Sequence, residues 1–455
     1  MLQRLGSVDG RPACATARPW RFVRILTGLI GLSLLLTPTA SAQLFQRATV
    51  IQNVRLASGE RTGEPTTVII RGGRIADVGA DLEVPRRSDV IDAEGGTLSA
   101  PLIDAWSGLG LSPTRGEAGA AAMVHEAFDP YADIAIRDAL RNGVGVVYVG
   151  APAGEGVTGV GAVIKLTERP SGGYGSLVQE QAAICVDLRT ESAIDRLGVF
   201  AGVREAFRGA VDYRETLDVY DEELETYIEE LGKLKDDDAE EDKDTEDGDD
   251  EPKAAEDKSD GKDEKKDKGP AKPERPRKSI ESEMLLKAID REIPVRVRAD
   301  RSADILNAIE LGEEFNLDII IEGGVESGPV ASRLAAAETP LVLTPASRRV
   351  LDPVTGLPQI ANIAALDEAG VDWYVGTGSD RSNASRGLLM ASQQLSPDGA
   401  LTRATRGAGR LLRLDGPVGR VGRGATDLVL WSGDPRSPAS RVMRVWLDGE
   451  VVYAR

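Results

Sequence analysis

Ser99 to Leu111 reads SAPLIDAWSGLGL, and the fold follows from it. Pro101 opens a short apolar run that predicts a strand ending in Asp104-Ala105-Trp106-Ser107-Gly108. The two-residue period of a strand puts Trp106 and Gly108 on one side of it. Downstream, apolar runs of strand length alternate with runs spaced at three and four residues. Asp133 to Asn142 reads as a helix and Gly143 to Val149 as a buried strand. Ala162 to Leu166 and Ala183 to Leu188 read as strands, and Ser192 to Leu231 is largely helical. Short strands at Pro294 to Val297, Leu317 to Ile321, Pro340 to Leu343 and Trp373 to Gly376 are separated by helices. Those helices are Ser302 to Phe315, Val330 to Ala337 and Gln359 to Ala369, with Leu401 to Leu412 behind the last strand. The alternation predicts an α/β fold with a parallel core. Counted with the strand at Pro101, it predicts a TIM-type (β/α)8 barrel over residues 99–412. A doubly wound open sheet is the alternative.

The two ends read differently. Residues 43–98 hold β-branched runs split by Gly pairs, with Arg71-Gly72-Gly73-Arg74 as a tight hairpin turn. Residues 413–455 repeat the style in ATDLVLWSG and RVMRVWLDGEVVYA, with Asp448-Gly449 as a second hairpin signal. Together they predict a small composite β-sandwich built from both ends of the chain. One stretch, residues 232–278, is almost wholly Asp, Glu, Lys, Pro and Ala, with acidic residues in excess. It lacks an apolar period and is expected to be a disordered acidic insertion in the barrel. A tether for a basic partner or for Ca²⁺ is its functional alternative.

The stretch at Asp104, the Gly-rich GVGVVYVGAPAGEGVTGVGAVIKL and the pair PVRVRADR and IIIEGG resemble the amidohydrolase superfamily, metal-dependent hydrolases of the imidazolonepropionase-like, amidohydrolase-related kind. IRGGRIADVG before the barrel and GRVGRGATDLVLWSGDP after it resemble the family's sandwich. The resemblance spans nearly the whole chain outside its leader and the acidic insertion. It implies a barrel with one or two divalent metals at the strand C-termini, and hydrolysis of carbon–nitrogen bonds other than peptide bonds. In the family the first strand ends in Asp-Ala-His-Ser-His. Trp106 and Gly108 stand at those two His positions. The family's HAHR and EHG motifs fall on Arg298, Asp300 and Gly323, which again replace His. WYVGTGSDRSN resembles the last barrel strand, and Asp380 fits the family's metal-touching, water-activating Asp.

The resemblance therefore implies a degenerate member that lacks its metal-binding His residues. A metal lowers the pKa of its bound water only where several donors converge on it. Trp106 and Gly108 offer no donor, and Gly323 offers only backbone. No cofactor is expected, and a divalent metal remains an option only if part of the family site persists. Asp104, Asp300 and Asp380 would then have to share a hard cation. Otherwise Asp380 is a relic paired with Arg381 or Arg298.

Composition narrows the rest. With one His, His125, in 455 residues, the chain cannot build a His-based metal site. A net charge of -19 excludes nucleic acid as a partner. Gly154-x-Gly156-x-x-Gly159 matches the dinucleotide fingerprint, but a strand follows it rather than a helix, so no nucleotide is expected. Lys165 reads as a strand Lys snorkelling from the barrel mouth. Cys185 reads as a small buried hydrophobe. Residues 1–42 read as a secretory signal with Arg18, Arg21 and Arg24, an apolar Ile25 to Leu36 and a small-residue site ending at Ala42. That predicts export to the periplasm or the exterior, with no stable membrane span after cleavage. Three functions remain open: a pseudoenzyme that binds a small molecule or a partner, an active hydrolase with a non-standard carboxylate site, and a structural subunit of a catalytically complete relative, in a homo- or hetero-oligomer.

Overall fold

A computed structural model describes residues 47–58, 61–112, 119–190, 192–241, 270–344, 361–378, 397–416 and 418–455. The leader and Asp380 lie outside the described residues. Seventeen strands fall into two sheets.

The first sheet unites both ends of the chain. Strands β1 (Thr49–Ser58), β2 (Arg61–Thr62), β3 (Thr66–Arg71), β4 (Arg74–Gly79), β5 (Asp89–Asp92) and β6 (Thr97–Ser99) come from the N-terminal side. Strands β15 (Leu428–Trp431), β16 (Val442–Leu447) and β17 (Glu450–Ala454) come from the C-terminal side. The two groups join where β6 pairs antiparallel with β15, Leu98 opposite Leu430. Ile51, Val54, Val68, Leu98, Leu430 and Trp446 form the core of this region. Both predicted hairpin turns are present. Gly72 and Gly73 have φ of 56° and 72°, and Asp448 and Gly449 have φ of 51° and 82°, the paired positive values of a type I′ turn. The two turns touch, since a Cβ on Gly73 would lie 2.7 Å from Gly449 Cα.

The second sheet holds eight strands: β7 (Leu102–Ser107), β8 (Val144–Val149), β9 (Gly156–Glu168), β10 (Tyr174–Asp187), β11 (Val295–Ala299), β12 (Ile319–Gly323), β13 (Leu341–Leu343) and β14 (Trp373–Val375). They lie in chain order, and the ends meet through a parallel bridge between Ser107 and Gly378. Gly378 N–H donates to Trp106 O at 2.8 Å, and Gly108 N–H to Gly378 O at 2.9 Å. Gly376 permits this approach, for a Cβ there would lie 2.8 Å from the Trp106 backbone. β7, β8, β11, β12 and β13 are buried throughout, as strands covered on both faces are.

The expected all-parallel order fails at one strand. β9 runs antiparallel to both β8 and β10. The chain passes from β8 to β9 through six loop residues, 150–155, too few for a helical crossover. Lys165 therefore sits opposite Val146, near the start of β8 and away from the mouth. It bridges the barrel to the sandwich through Asp427, at 2.8 Å, and Asp448. The expectation of a mouth-side Lys165 is thus corrected. β9 also starts earlier than the expected strand at Ala162, so Gly156 and Gly159, in the stretch likened to a Gly-rich loop, lie within it.

Helices α1 (Asp133–Arg141), α2 (Ala193–Glu241), α3 (Ile280–Ile289), α4 (Ser302–Phe315), α5 (Ala331–Ala336) and α6 (Ile363–Ala369) surround the barrel. A last helix spans 397–411, with its middle turn Arg403–Gly407 a π-turn. α4 shows the logic: Ile305, Ala308, Ile309, Leu311 and Phe315 are buried, and Asn316 ends the helix at φ 57°. α2 corrects another expectation. Ten residues of the acidic stretch, 232–241, continue the helix, because Glu, Lys, Leu and Ala are good helix formers whatever their net charge. No helix among the described residues is long and apolar enough to cross a membrane.

Candidate functional site: the barrel mouth

The C-terminal ends of β7, β8, β10, β11 and β12 bring the predicted positions together. β11 reads Val-Arg-Val-Arg-Ala and is buried throughout. Its alternation places Arg296 and Arg298 on one side, one layer apart. Buried guanidinium groups require partners, and neighbouring strands supply them. Arg296 Nε donates to Glu322 Oε1 at 2.6 Å, and Nη2 to Ala105 O. Its guanidinium carbon lies 3.8 Å from the centre of the Tyr148 ring. Arg298 Nε donates to the other oxygen of Glu322 at 3.2 Å, and Nη2 to Ala151 O. Arg298 Nη1 lies 3.8 Å from Asp187 Oδ2. Arg189 closes the chain by gripping Asp187 with Nε and Nη2, at 2.9 and 2.8 Å. The result is one line of alternating charge, Arg296–Glu322–Arg298–Asp187–Arg189.

Trp106 lies inside this assembly, 4 % exposed, with the Arg298 guanidinium 5.2 Å from its ring centre. The residues at the first-strand and HAHR positions are therefore stacked on one another. Gly108 lies just beyond β7 and spends its N–H on Gly378. Gly323 takes φ 103°, and a Cβ on it would run into Asp300 Oδ1. The Asp300 carboxylate thus fills the volume that a side chain at Gly323 would need.

Asp104 takes part in barrel closure. Its carboxylate accepts Thr377 N–H at 2.9 Å, the Thr377 hydroxyl at 2.5 Å and Trp106 N–H at 3.3 Å. Burial pushes its pKa up to about 6 against those hydrogen bonds. Burial also presses on Asp187, but the hydrogen bonds and charge of Arg189, with Arg298 behind, hold it below the usual carboxylate range. Cys185 is buried as expected, its thiol pushed up by burial and by the Glu322 charge. It lies 3.2 Å from the Tyr148 hydroxyl. His125 sits on a short 3-10 turn outside the charge line, with Nε2 3.5 Å from Glu180 Oε1.

These residues do not fit a divalent metal. The carboxylates of Glu322 and Asp187 are already engaged by cations, and guanidinium has no lone pair to give a metal. Among the described residues no group of three or more His, Cys, Asp or Glu is gathered closely enough to hold one. The grouping of Asp104 and Asp300 with Asp380 lies outside the described residues; within them the Asp104 carboxylate is hydrogen-bonded to Thr377. Arg298 pairs with Glu322 and Asp187, and the expected pairing of Asp380 with Arg381 or Arg298 lies outside the described residues.

Sequence reading missed Arg296, Glu322, Asp187 and Arg189 as members of the site. The signal was there: charged residues inside β-branched runs, VRVRA, IIIEGG and AICVDLR, must be paired if both faces of the strand are buried.

No protein-family model and no curated protein matches the chain. Solved structures do match. An amidohydrolase from Thermotoga maritima MSB8 superposes with a TM-score of 0.69 at 22 % identity, over 90 % of this chain and all of that one. The fold is that of the amidohydrolases. A prolidase crystallised with N-methylphosphonate-L-proline matches over the same shares at 17 % identity, with a TM-score of 0.51. The mixed α/β barrel and the flanking sheet of this chain are thus the amidohydrolase arrangement, and the charge line sits at the strand ends of that barrel.

Proposed function

We propose that this chain is an exported, metal-independent protein of amidohydrolase fold that acts by binding rather than by hydrolysis. One observation carries the reading: Arg298 is stacked on Trp106 and held between Glu322 and Asp187. Hydrolysis in this fold needs a metal-bound water of lowered pKa. Here a guanidinium supplies the positive charge that the buried carboxylates require. A guanidinium carries donors only and has no lone pair with which to bind a metal ion. The charge line and the backbone carbonyls of Ala105 and Ala151 satisfy one another, so this line plugs the barrel mouth. Binding then falls to other surfaces. Export rests on the leader-like residues 1–42.

Elemental analysis of the mature protein, grown with zinc, manganese and nickel and purified without chelator, tests this. The expected result is metal far below one ion per chain and a melting temperature indifferent to EDTA. About one tightly held ion per chain, lost on Asp380→Ala, would overturn it and restore the hydrolase reading.

A further inference from the structure

A groove of about 600 Å³ lies outside the charge line, between the first half of α2, the start of β9 and the first turns of α3. Its floor is small and apolar. Gly198, Gly202 and Ala206 present one face of α2 to it, with Val199 and Leu285 beside them. A Cβ on Gly198 or Gly202 would meet nothing within 4 Å. Each Gly costs a helix interior about 1 kcal/mol relative to Ala, and no neighbour among the described residues requires either one. Their use is explained if something outside the chain approaches the helix backbone closely. Ile194, at the lip, is 75 % exposed, and Leu197 on the same turn is 70 % exposed.

The charges on the groove are of one sign. Glu155, Asp195 and Glu281 line it, and among the described residues no Lys or Arg does. Glu281 reaches over the groove to the Gly119 backbone, where a Cβ would strike its Oε1. Three carboxylates with no counter-charge in the lining make the groove complementary to positive charge. The occupant is therefore a cation with an apolar body. From Ile194 to Ala206 the helix rises about 18 Å, which matches an extended peptide of about five residues at 3.3 Å each. The trough is open along its length, so a small amine would bury too little of itself, whereas a peptide would bury several side chains.

We propose that this groove docks an extended segment of a partner protein that presents Arg or Lys next to an apolar residue. The inference rests on the reading that the chain acts by binding, and gives that reading a partner class.

Fluorescence anisotropy with the full mature chain at physiological salt tests it. The probe is a fluorescein-labelled, amidated Leu-Arg-Ala-Lys-Leu peptide, with Leu-Glu-Ala-Glu-Leu as its opposite. Saturable binding of the basic peptide alone is expected. Gly202→Leu, which fills the groove on an uncrowded helix face, should weaken it by more than about tenfold, or 1.4 kcal/mol. Glu155→Gln with Glu281→Gln should weaken it comparably. Equal binding by wild type and both variants would place the peptide on the acidic stretch after α2 and overturn the proposal. So would no binding by wild type. Self-association of the chain that Gly202→Leu abolishes would assign the groove to a second copy and equally overturn the proposal. Metal content measured on the same sample keeps these outcomes separate from the hydrolase question.

Discussion

Arg298 touches three other strands at once, and its loss should be felt at each. Arg298→Ala leaves Glu322 and Asp187 with fewer cations in a buried site, a change expected to cost about 3–5 kcal/mol. Urea denaturation measures it, and a loss below about 1 kcal/mol would mean that the charge line is not what holds the mouth. Trp106→Ala should cost a similar amount, about 3–5 kcal/mol, through the cavity it leaves. Asp104 gives a pH-dependent counterpart. Its folded pKa of about 6 lies above the unfolded carboxylate value, so the folded chain favours the protonated form. The stability this group permits is fully present below about pH 4 and is lost as pH rises through about 6, by on the order of 3 kcal/mol. Asp104→Asn should therefore be at least as stable as wild type at pH 7.5 and lose that advantage at pH 4. Equal destabilisation at both pH values would show that the carboxylate is needed ionised. That Trp106, Gly108 and Gly323 stand where the resemblance expects His was legible at this scale because each is a local fact. The arginine–carboxylate line was not, because its members are spread from Asp187 to Glu322 and only the sheet register brings them together.

The longest element, α2, carries a surface that the barrel does not use. Beyond Arg214 its half-buried residues are Leu217, Tyr220, Leu224, Tyr227 and Leu231, at alternating steps of three and four, and the residues between are exposed. The returning chain has its own period. Pro270, Pro273, Pro276 and Ser279 are half-buried and the residues between them exposed, the three-residue repeat of polyproline II. The two meet where Ser279 N–H donates to the Tyr213 hydroxyl at 3.4 Å. Tyr213 to Leu231 rises about 27 Å, and residues 270–278 span about 28 Å at polyproline pitch. Deleting 232–278 would therefore leave Leu231 and Ser279 with no chain to cover that distance. Replacing 216–277 by a short Gly-Ser linker joins two neighbours instead. That variant should stay soluble and melt within a few degrees of wild type, while direct fusion of Leu231 to Ser279 should melt well below it. Calorimetry on the pair decides. Composition read all of 232–278 as disordered because it registers charge, whereas helix propensity favours the same Glu, Lys and Leu residues.

Across the whole molecule, restoring two His should not restore a site. Trp106→His with Gly108→His removes the stacking partner of Arg298 but leaves Arg298, Glu322 and Gly323 as they are. The double variant is expected to take up no stoichiometric zinc by elemental analysis, and zinc bound at one ion per chain would show that a latent site survives. The barrel, and the sheet that strands from both ends of the sequence share, were legible because strand length, Gly pairs and turn residues are local signals. The reversed β9 was not. Its apolar run says that it is a strand but not which way it points, and only the short loop 150–155 hinted at the turn.

The pairing of Leu98 with Leu430 has a consequence for how the chain is made. The first strands leave the ribosome on the order of tens of seconds before the strand that covers them. Through that interval β6 has an open edge and an apolar face, the features that invite intermolecular pairing. A ribosome stalled or released before Leu428 would yield a product unable to finish its first sheet. Residues 428–454 thus complete the first sheet only after the whole barrel has been made. Holding factors that protect unfinished chains would be needed most by this protein before its C-terminus appears.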